Sequence, residues 1–256
     1  MTTPSGTPNE EQIHPPVPPP PVITPAVDPA VNANLTRPPV GDEALGRTVV
    51  HLLRHGEVHN PDAIFYGRLP GFRLSDLGLR MAERAAGFFS SRDIVLVIAS
   101  PLERAQQTAT PVAAAHDLEI GIDPRITEAT SVFEGQTFGV GDGSLRHPAH
   151  WRHLINPFRP SWGEPYRQVA DRVLAAAADA RELARGHEVV LVSHQMPIWM
   201  GRLAAEHRRL WHDPRKRECS LASVTSIEYA GDRIVSVGYA EPSRDLLPGA
   251  QKIAGA

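Results

Sequence analysis

Val49-Val50-His51-Leu52-Leu53-Arg54-His55-Gly56-Glu57 is the stretch whose reading decides the fold. An apolar, partly β-branched run breaks abruptly into Arg-His-Gly-Glu, the pattern of a buried strand that ends in a loop. In open α/β sheets, ligands sit just beyond the carboxyl ends of strands. An arginine, a histidine and a flexible glycine placed there suit an anion that is to be bound and attacked. A plain sheet-edge loop with a solvated histidine would show the same three residues, so the weight falls on the rest of the chain.

Downstream of Arg47 the sequence alternates between strand and helix patterns. Ser75 opens a helix that runs to about Ser90, with Leu77, Met81, Ala85 and Phe88 on one apolar face. Ile94–Ala99 reads as a second buried strand, feeding directly into Ser100-Pro101-Leu102-Glu103, which has the spacing of a capping box with Ser100 as N-cap. Pro111 is expected to end or kink the helix that follows. Residues 119–123 read as a short strand, and 129–163, rich in Gly, Pro, His and Trp without a clear period, as a long and partly helical excursion over the sheet face. Residues 164–185 read as a helix, with Val169, Val173, Leu174 and Ala177 on one side. Glu188–Ser193 reads as a strand turning at His194 into a helix from Pro197 to about His207. Residues 221–229 and 233–239 look like a hairpin around Gly231. The implied architecture is α/β, a mostly parallel central sheet with helices on both faces.

Residues 1–45 differ from this in composition. They hold 12 of the chain's 25 prolines and no Phe, Trp or Tyr, with a net charge of −4. Such a segment buries too little apolar surface to offset its ordering entropy, and is expected to be a disordered, locally polyproline-II tail. The preferred reading is a plain solubilising tail, with a docking motif for a proline-recognising partner as the alternative. The domain is expected over 46–245, with a C-terminal tail over 246–256.

Several function classes are excluded on composition. The chain after residue 45 carries 25 basic and 24 acidic residues, which is not a nucleic-acid footprint. No apolar run approaches the ~18 residues of a membrane span, and the N-terminus has no basic segment followed by an apolar one, so no secretory signal is expected. Cys219 is the only cysteine, which rules out an intrachain disulfide and makes a reducing cytoplasm the default. A Cys-x5-Arg phosphatase pattern would need arginine at 225, which is Thr225. His55 and His59 have an i, i+4 spacing, but in a loop this spacing shares no face, so neither metal nor cofactor is expected.

Three strand ends, Arg54-His55-Gly56, Ser100 through Arg104, and Ser193-His194, supply polar residues that a parallel sheet would bring to one edge. Arg104 falls in the first turn of a helix, where backbone N–H groups and the dipole favour an anion. Two guanidinium forks match the equatorial oxygens of a phosphoryl group.

With these motifs the chain resembles the histidine phosphatase superfamily, also called phosphoglycerate mutase-like. The resemblance rests on Leu53–Glu57, Leu74-Ser75-Asp76-Leu77-Gly78, Ser100–Ala109 and Val192-Ser193-His194. Ile126-Thr127-Glu128 with Glu134-Gly135, and Gly163-Glu164, match more weakly. It implies a phosphoglycerate mutase-like fold, His55 as a nucleophile that becomes phosphorylated, Arg54, Arg104 and His194 as phosphoryl ligands, and Glu128 as general acid, with Glu134 as the alternative. Asn60 comes six residues after Arg54, where the family commonly has Asn at seven, and Gln195 replaces a usual glycine. Both are candidate substrate contacts, as is Arg68, which follows Tyr66-Gly67 in a loop bordering the pocket and would grip a second anionic group. The expected activity is a metal-independent phosphomonoesterase acting on a small phosphorylated metabolite. The rival readings are a mutase-type phosphotransferase and a non-catalytic binding module that uses the Pro-rich tail. Oligomeric state is not legible.

Overall fold

The computed structural model describes residues 46–137 and 163–250. The Pro-rich segment 1–45, most of the 129–163 excursion and residues 251–256 lie outside the described residues. Within them the chain forms β1 (Thr48–Arg54), α1 (Asp76–Phe89), β2 (Ile94–Ala99), α2 (Glu103–Ala114) and β3 (Ile120–Ile122). It continues through α3 (Tyr166–Leu183), β4 (Glu188–Ser193), α4 (Gln195–Ala205), β5 (Val224–Ala230) and β6 (Arg233–Ala240). The six strands make one sheet in the order β3-β2-β4-β1-β5-β6. β1 pairs in parallel with β4, β4 with β2, and β2 with β3. The β5–β6 hairpin adds two antiparallel pairings at the β1 edge.

The expected mostly parallel α/β sheet is therefore present, and its strands show why the apolar runs are continuous. Along β4, Val189 and Leu191 face one core while Val190 and Val192 face the other. A strand covered on both sides has no polar face to alternate with. Residues of α1 and α2 (Ala85, Phe89, Ala105, Val112) fill the core on one face, together with Leu53 of β1. Val50 and Leu52 of β1 meet Val173, Ala177 and Ala180 of α3 and Ile198 of α4 on the other.

Two expectations about helix starts are corrected. Ser100 is not the N-cap of α2; Leu102 occupies that position and makes no side-chain cap bond. The Ser100 hydroxyl is instead 2.7 Å from Nε2 of His194, so a pattern that reads as a local cap serves a contact between strand ends. Pro111 lies inside α2, which continues to Ala114. α4 begins at Gln195, two residues earlier than expected. Pro197 in the first turn costs it no bond, because those N–H groups have no intrahelical acceptor. At the other end of the chain, a 3-10 turn at Leu247–Gly249 lies beside Leu77 of α1.

The Leu74–Gly78 motif is structural. Ser75 caps α1 by accepting from Gly78 N at 3.0 Å, its backbone N–H donates to Glu57 O, and its hydroxyl donates to the Glu57 carboxylate. A Cβ on Gly78 would come within 2.0 Å of Glu57 O, and one on Gly56 within 2.5 Å of Gly78 O. The two backbones touch, which pins the loop after β1 against the start of α1. Gly78→Ala is thus expected to lower stability by about 1–3 kcal/mol through enforced backbone shifts. Gly87→Ala on the same helix, where nothing lies within 4 Å, should be neutral or stabilising by about 0.5–1 kcal/mol. Thermal melts of the two variants check the contrast.

Candidate active site

The carboxyl ends of β1, β4 and β2 are adjacent in the sheet, and the three polar strand ends meet there. The backbone joins them directly: His55 N donates to Ser193 O at 3.1 Å and Ser100 N to Val192 O at 2.9 Å. The amino ends of α2 and α4 open onto the same edge, with Arg104 in the first turn of one and His194 as N-cap of the other. Ligands bind at such an edge where neighbouring connections diverge.

His55 is fully buried. Its Nδ1 lies 2.7 Å from the Gly56 carbonyl, which can only accept, so Nδ1 carries the proton and Nε2 the lone pair. That Nε2 is buried and has no hydrogen-bond partner among the described residues. Burial, and then the charges of Arg104 and Arg54, hold the imidazole well below its ordinary value. A neutral ring with an unpartnered lone pair, near the charges of Arg104 and Arg54, is the state a nucleophile needs. His194 stands beside it, ring centroids 5.1 Å apart. A Ser100 hydroxyl that donates to Nε2 of His194 leaves the ring proton on Nδ1. This atom too is buried and without a partner among the described residues, so His194 offers a neutral N–H donor to an oxyanion. Burial foremost, helped by the neighbouring cations, also keeps His194 well below the ordinary histidine value.

The arginines are fixed by backbone carbonyls. Arg54 donates from Nη1 to Cys219 O at 2.6 Å. Arg104, 1% exposed, donates from Nη2 to Gly67 O at 2.6 Å and lies 4.7 Å over the Tyr66 ring. Its Nε has no partner among the described residues. The loop of Tyr66 and Gly67 thus orients Arg104. Thr108 continues the brace, accepting from Gly56 N and donating to Arg104 O.

Glu128 follows the 3-10 turn Pro124–Ile126, and Oε1 accepts from Ala129 N at 2.8 Å. Burial raises its carboxyl above the ordinary glutamate range, against the pull of Arg104, Arg54 and Arg217. Glu134 accepts from Ser131 N at 3.2 Å and packs beneath Gly67, and it ranks below Glu128 among the charges that act on Arg104. Ser193 Oγ donates to Ile126 O at 2.6 Å, tying the Glu128 segment to the end of β4.

Three sequence candidates are engaged elsewhere. Asn60 is buried, and both ends of its amide bind the Ile64 backbone, at 2.8 and 3.0 Å. It shapes its loop. Arg68 donates to the Glu128 carbonyl and to the Glu164 carboxylate, a carboxylate that Arg172 also grips with two nitrogens. Glu164 and Arg68 therefore position the backbone of Glu128. Gln195 accepts from Arg217 at 3.2 Å. His59 is exposed while His55 is buried, so the pair does not share a face. Sequence reasoning missed Arg217 and the Ser100–His194 contact. Arg217 lies in Asp213-Pro214-Arg215-Lys216-Arg217-Glu218, which reads as a solvated charged loop.

The family model of the histidine phosphatase superfamily (branch 1) matches residues 50–242. The chain belongs to this superfamily. Among its relatives, an uncharacterised protein of Mycobacterium tuberculosis is 56% identical over 196 residues, covering 77% of this chain and 97% of that protein. A Yersinia pestis protein named "Probable phosphoglycerate mutase GpmB" is 32% identical over 187 residues, covering 68% and 83%. The structure of a mycobacterial glucosyl-3-phosphoglycerate phosphatase complexed with VO3 aligns with a TM-score of 0.60 at 26% identity, covering 75% of this chain and 96% of that one. The superfamily member described here thus has both phosphatase and mutase neighbours.

Proposed function

We propose that this histidine phosphatase superfamily member is a metal-independent phosphomonoesterase that works through a phosphohistidine on His55. The observation that carries the reading is Nε2 of His55: buried, unprotonated and unpartnered, with Arg104 Nε and His194 Nδ1 equally unused around it. In the first step Nε2 attacks phosphorus in line, and the ester oxygen leaves with the proton of Glu128. In the second, the Glu128 carboxylate takes a proton from water, whose oxygen displaces His55 and releases inorganic phosphate. Arg54, Arg104 and His194 match the charge spread over the equatorial oxygens, the main task in phosphoryl transfer.

The 32% identical relative named as a mutase favours a second reading, in which phospho-His55 returns its group to a sugar acid instead of water. A binding-only module would have no use for an intact nucleophile set. A cytoplasmic setting accords with a single, buried free thiol at Cys219; no helix among the described residues is long and apolar enough to cross a membrane.

Because the arginines supply the positive charge, inorganic phosphate should be released from phosphomonoesters at an undiminished rate after exhaustive chelation. Phosphorus NMR with 3-phosphoglycerate separates the two readings: free phosphate supports hydrolysis, and an isomeric ester supports transfer. Turnover recovered only on adding back zinc or magnesium would remove the metal-independent mechanism.

A further inference from the structure

Arg217 belongs to none of the motifs that carry the fold or the reaction, yet its charge acts on Glu128 and on Arg54. Gln195, whose Oε1 accepts from its Nη1, follows His194 directly. Cys219, two residues on, holds Arg54 through its carbonyl, and Ala222 N reaches His55 O at 3.3 Å. The loop from 217 to 222 is therefore a wall of the site.

Among the described residues the guanidinium is held only by neutral groups. Nε donates to His212 Nε2 at 2.8 Å. His212 Nδ1 lies 2.8 Å from Leu210 O, which can only accept, so that ring is the neutral Nδ1–H form and its Nε2 is free to accept from Arg217. Tyr166 and Trp199 flank His212, with ring centroids at 5.5 and 5.8 Å. Nη2 makes no protein hydrogen bond among the described residues. No carboxylate among these residues lies within ion-pair distance of Arg217. Arg68 and Arg172 share Glu164, Arg202 has Glu206 and Glu218, and Arg125 has Asp123 and Asp179. A cation withdrawn from water is costly unless an opposite charge meets it. A carboxylate whose charge acts on Arg217 is Glu128, which must hold a proton at the start of the reaction.

We infer that Arg217 is a second anion-binding position in the pocket, which selects phosphomonoesters that carry another anionic group, a carboxylate or a further phosphate. The inference rests on the phosphomonoesterase reading for the position of the reacting phosphoryl group. A fixed guanidinium with a free nitrogen is suited to a carboxylate or phosphate oxygen and gains little from a hydroxyl or an aryl ring. It takes over the role that Arg68, committed to Glu164, does not have a free charge to fill.

The test is calorimetric binding of 3-phosphoglycerate and glycerol 3-phosphate, a three-carbon pair in which a carboxylate replaces a CH2OH. It is done on the full chain in a His55→Ala background, so that no phosphoryl transfer interferes. The parent should bind 3-phosphoglycerate tighter by about tenfold or more, as expected for one charge-assisted contact. Adding Arg217→Ala or Arg217→Gln should bring the ratio close to one; making both guards against a folding defect in either. Equal binding of the two compounds by the parent, or an equal loss for both in the variants, would overturn the assignment. The readout is independent of turnover. A preserved ratio, when the protein with His55 intact releases no phosphate from any phosphomonoester, overturns the hydrolytic reading alone; a missing ratio, when the protein with His55 intact hydrolyses p-nitrophenyl phosphate, overturns Arg217 alone.

Discussion

With His55 replaced by alanine, rapid quenching should trap no phosphoprotein, and kcat/KM should fall by roughly 10⁴-fold or more, the scale seen when a nucleophile that works as part of a unit is removed. The wild-type protein should yield phosphoprotein that survives alkali and is lost in acid, because protonation of the imidazole makes it a good leaving group from phosphorus. The size of the effect follows from the site. The other histidine there, His194, has Nε2 against Ser100 Oγ; with that hydroxyl donating, its ring proton is on Nδ1 and it presents a donor and no lone pair. Cys219 has its thiol buried and pushed up by burial. Among the described residues no second nucleophile stands ready. Arg54, Arg104 and His194 remain in the variant, so it should still bind vanadate or phosphate, which distinguishes a lost nucleophile from a lost fold. Wild-type turnover in His55→Ala would refute the phosphohistidine mechanism.

Glu128→Gln should separate substrates by leaving group. For alkyl phosphates the rate of His55 phosphorylation should drop by about 10²–10⁴-fold, the usual worth of a general acid, while p-nitrophenyl phosphate, whose leaving group barely needs a proton, should lose far less. The pH profile gives an independent reading with a definite sign. His55 is held below its ordinary value, so the nucleophile stays neutral as pH falls past 6.5 and is lost only at lower pH. Glu128 is raised, so the acid form persists above the ordinary glutamate range and is lost as pH climbs through the raised value. For an alkyl phosphate, kcat/KM should therefore rise through the first value and fall through the second, and Glu128→Gln should abolish the falling limb. Should Glu134→Gln show the leaving-group dependence instead, the acid belongs to that carboxylate.

Local pattern was enough for much of this. The apolar runs within Ile94–Ala99 and Glu188–Ser193 matched the strands to the residue, because a strand with a core on each face is written mostly in apolar residues. The Arg54-His55-Gly56, Arg104 and His194 positions were legible for a related reason: in a parallel sheet every strand end falls on one edge, so strand-end chemistry converges without knowledge of the packing. Short-range signals misled where a side chain had two partners to choose between. Ser100 has the spacing of a cap but is taken by His194 across the sheet, and Arg68 and Asn60 look like substrate contacts but are taken by Glu164 and by the Ile64 backbone. For Ser100 and Arg68 the partner that wins lies 94 and 96 positions away, a proximity that sequence spacing does not carry, whereas the Asn60 bonds to Ile64 are local. Arg217 is the clearest case. Its charge is plain in the sequence, but only the tertiary structure gives it, among the described residues, His212 and Gln195 as neutral partners and brings its charge to act on Glu128.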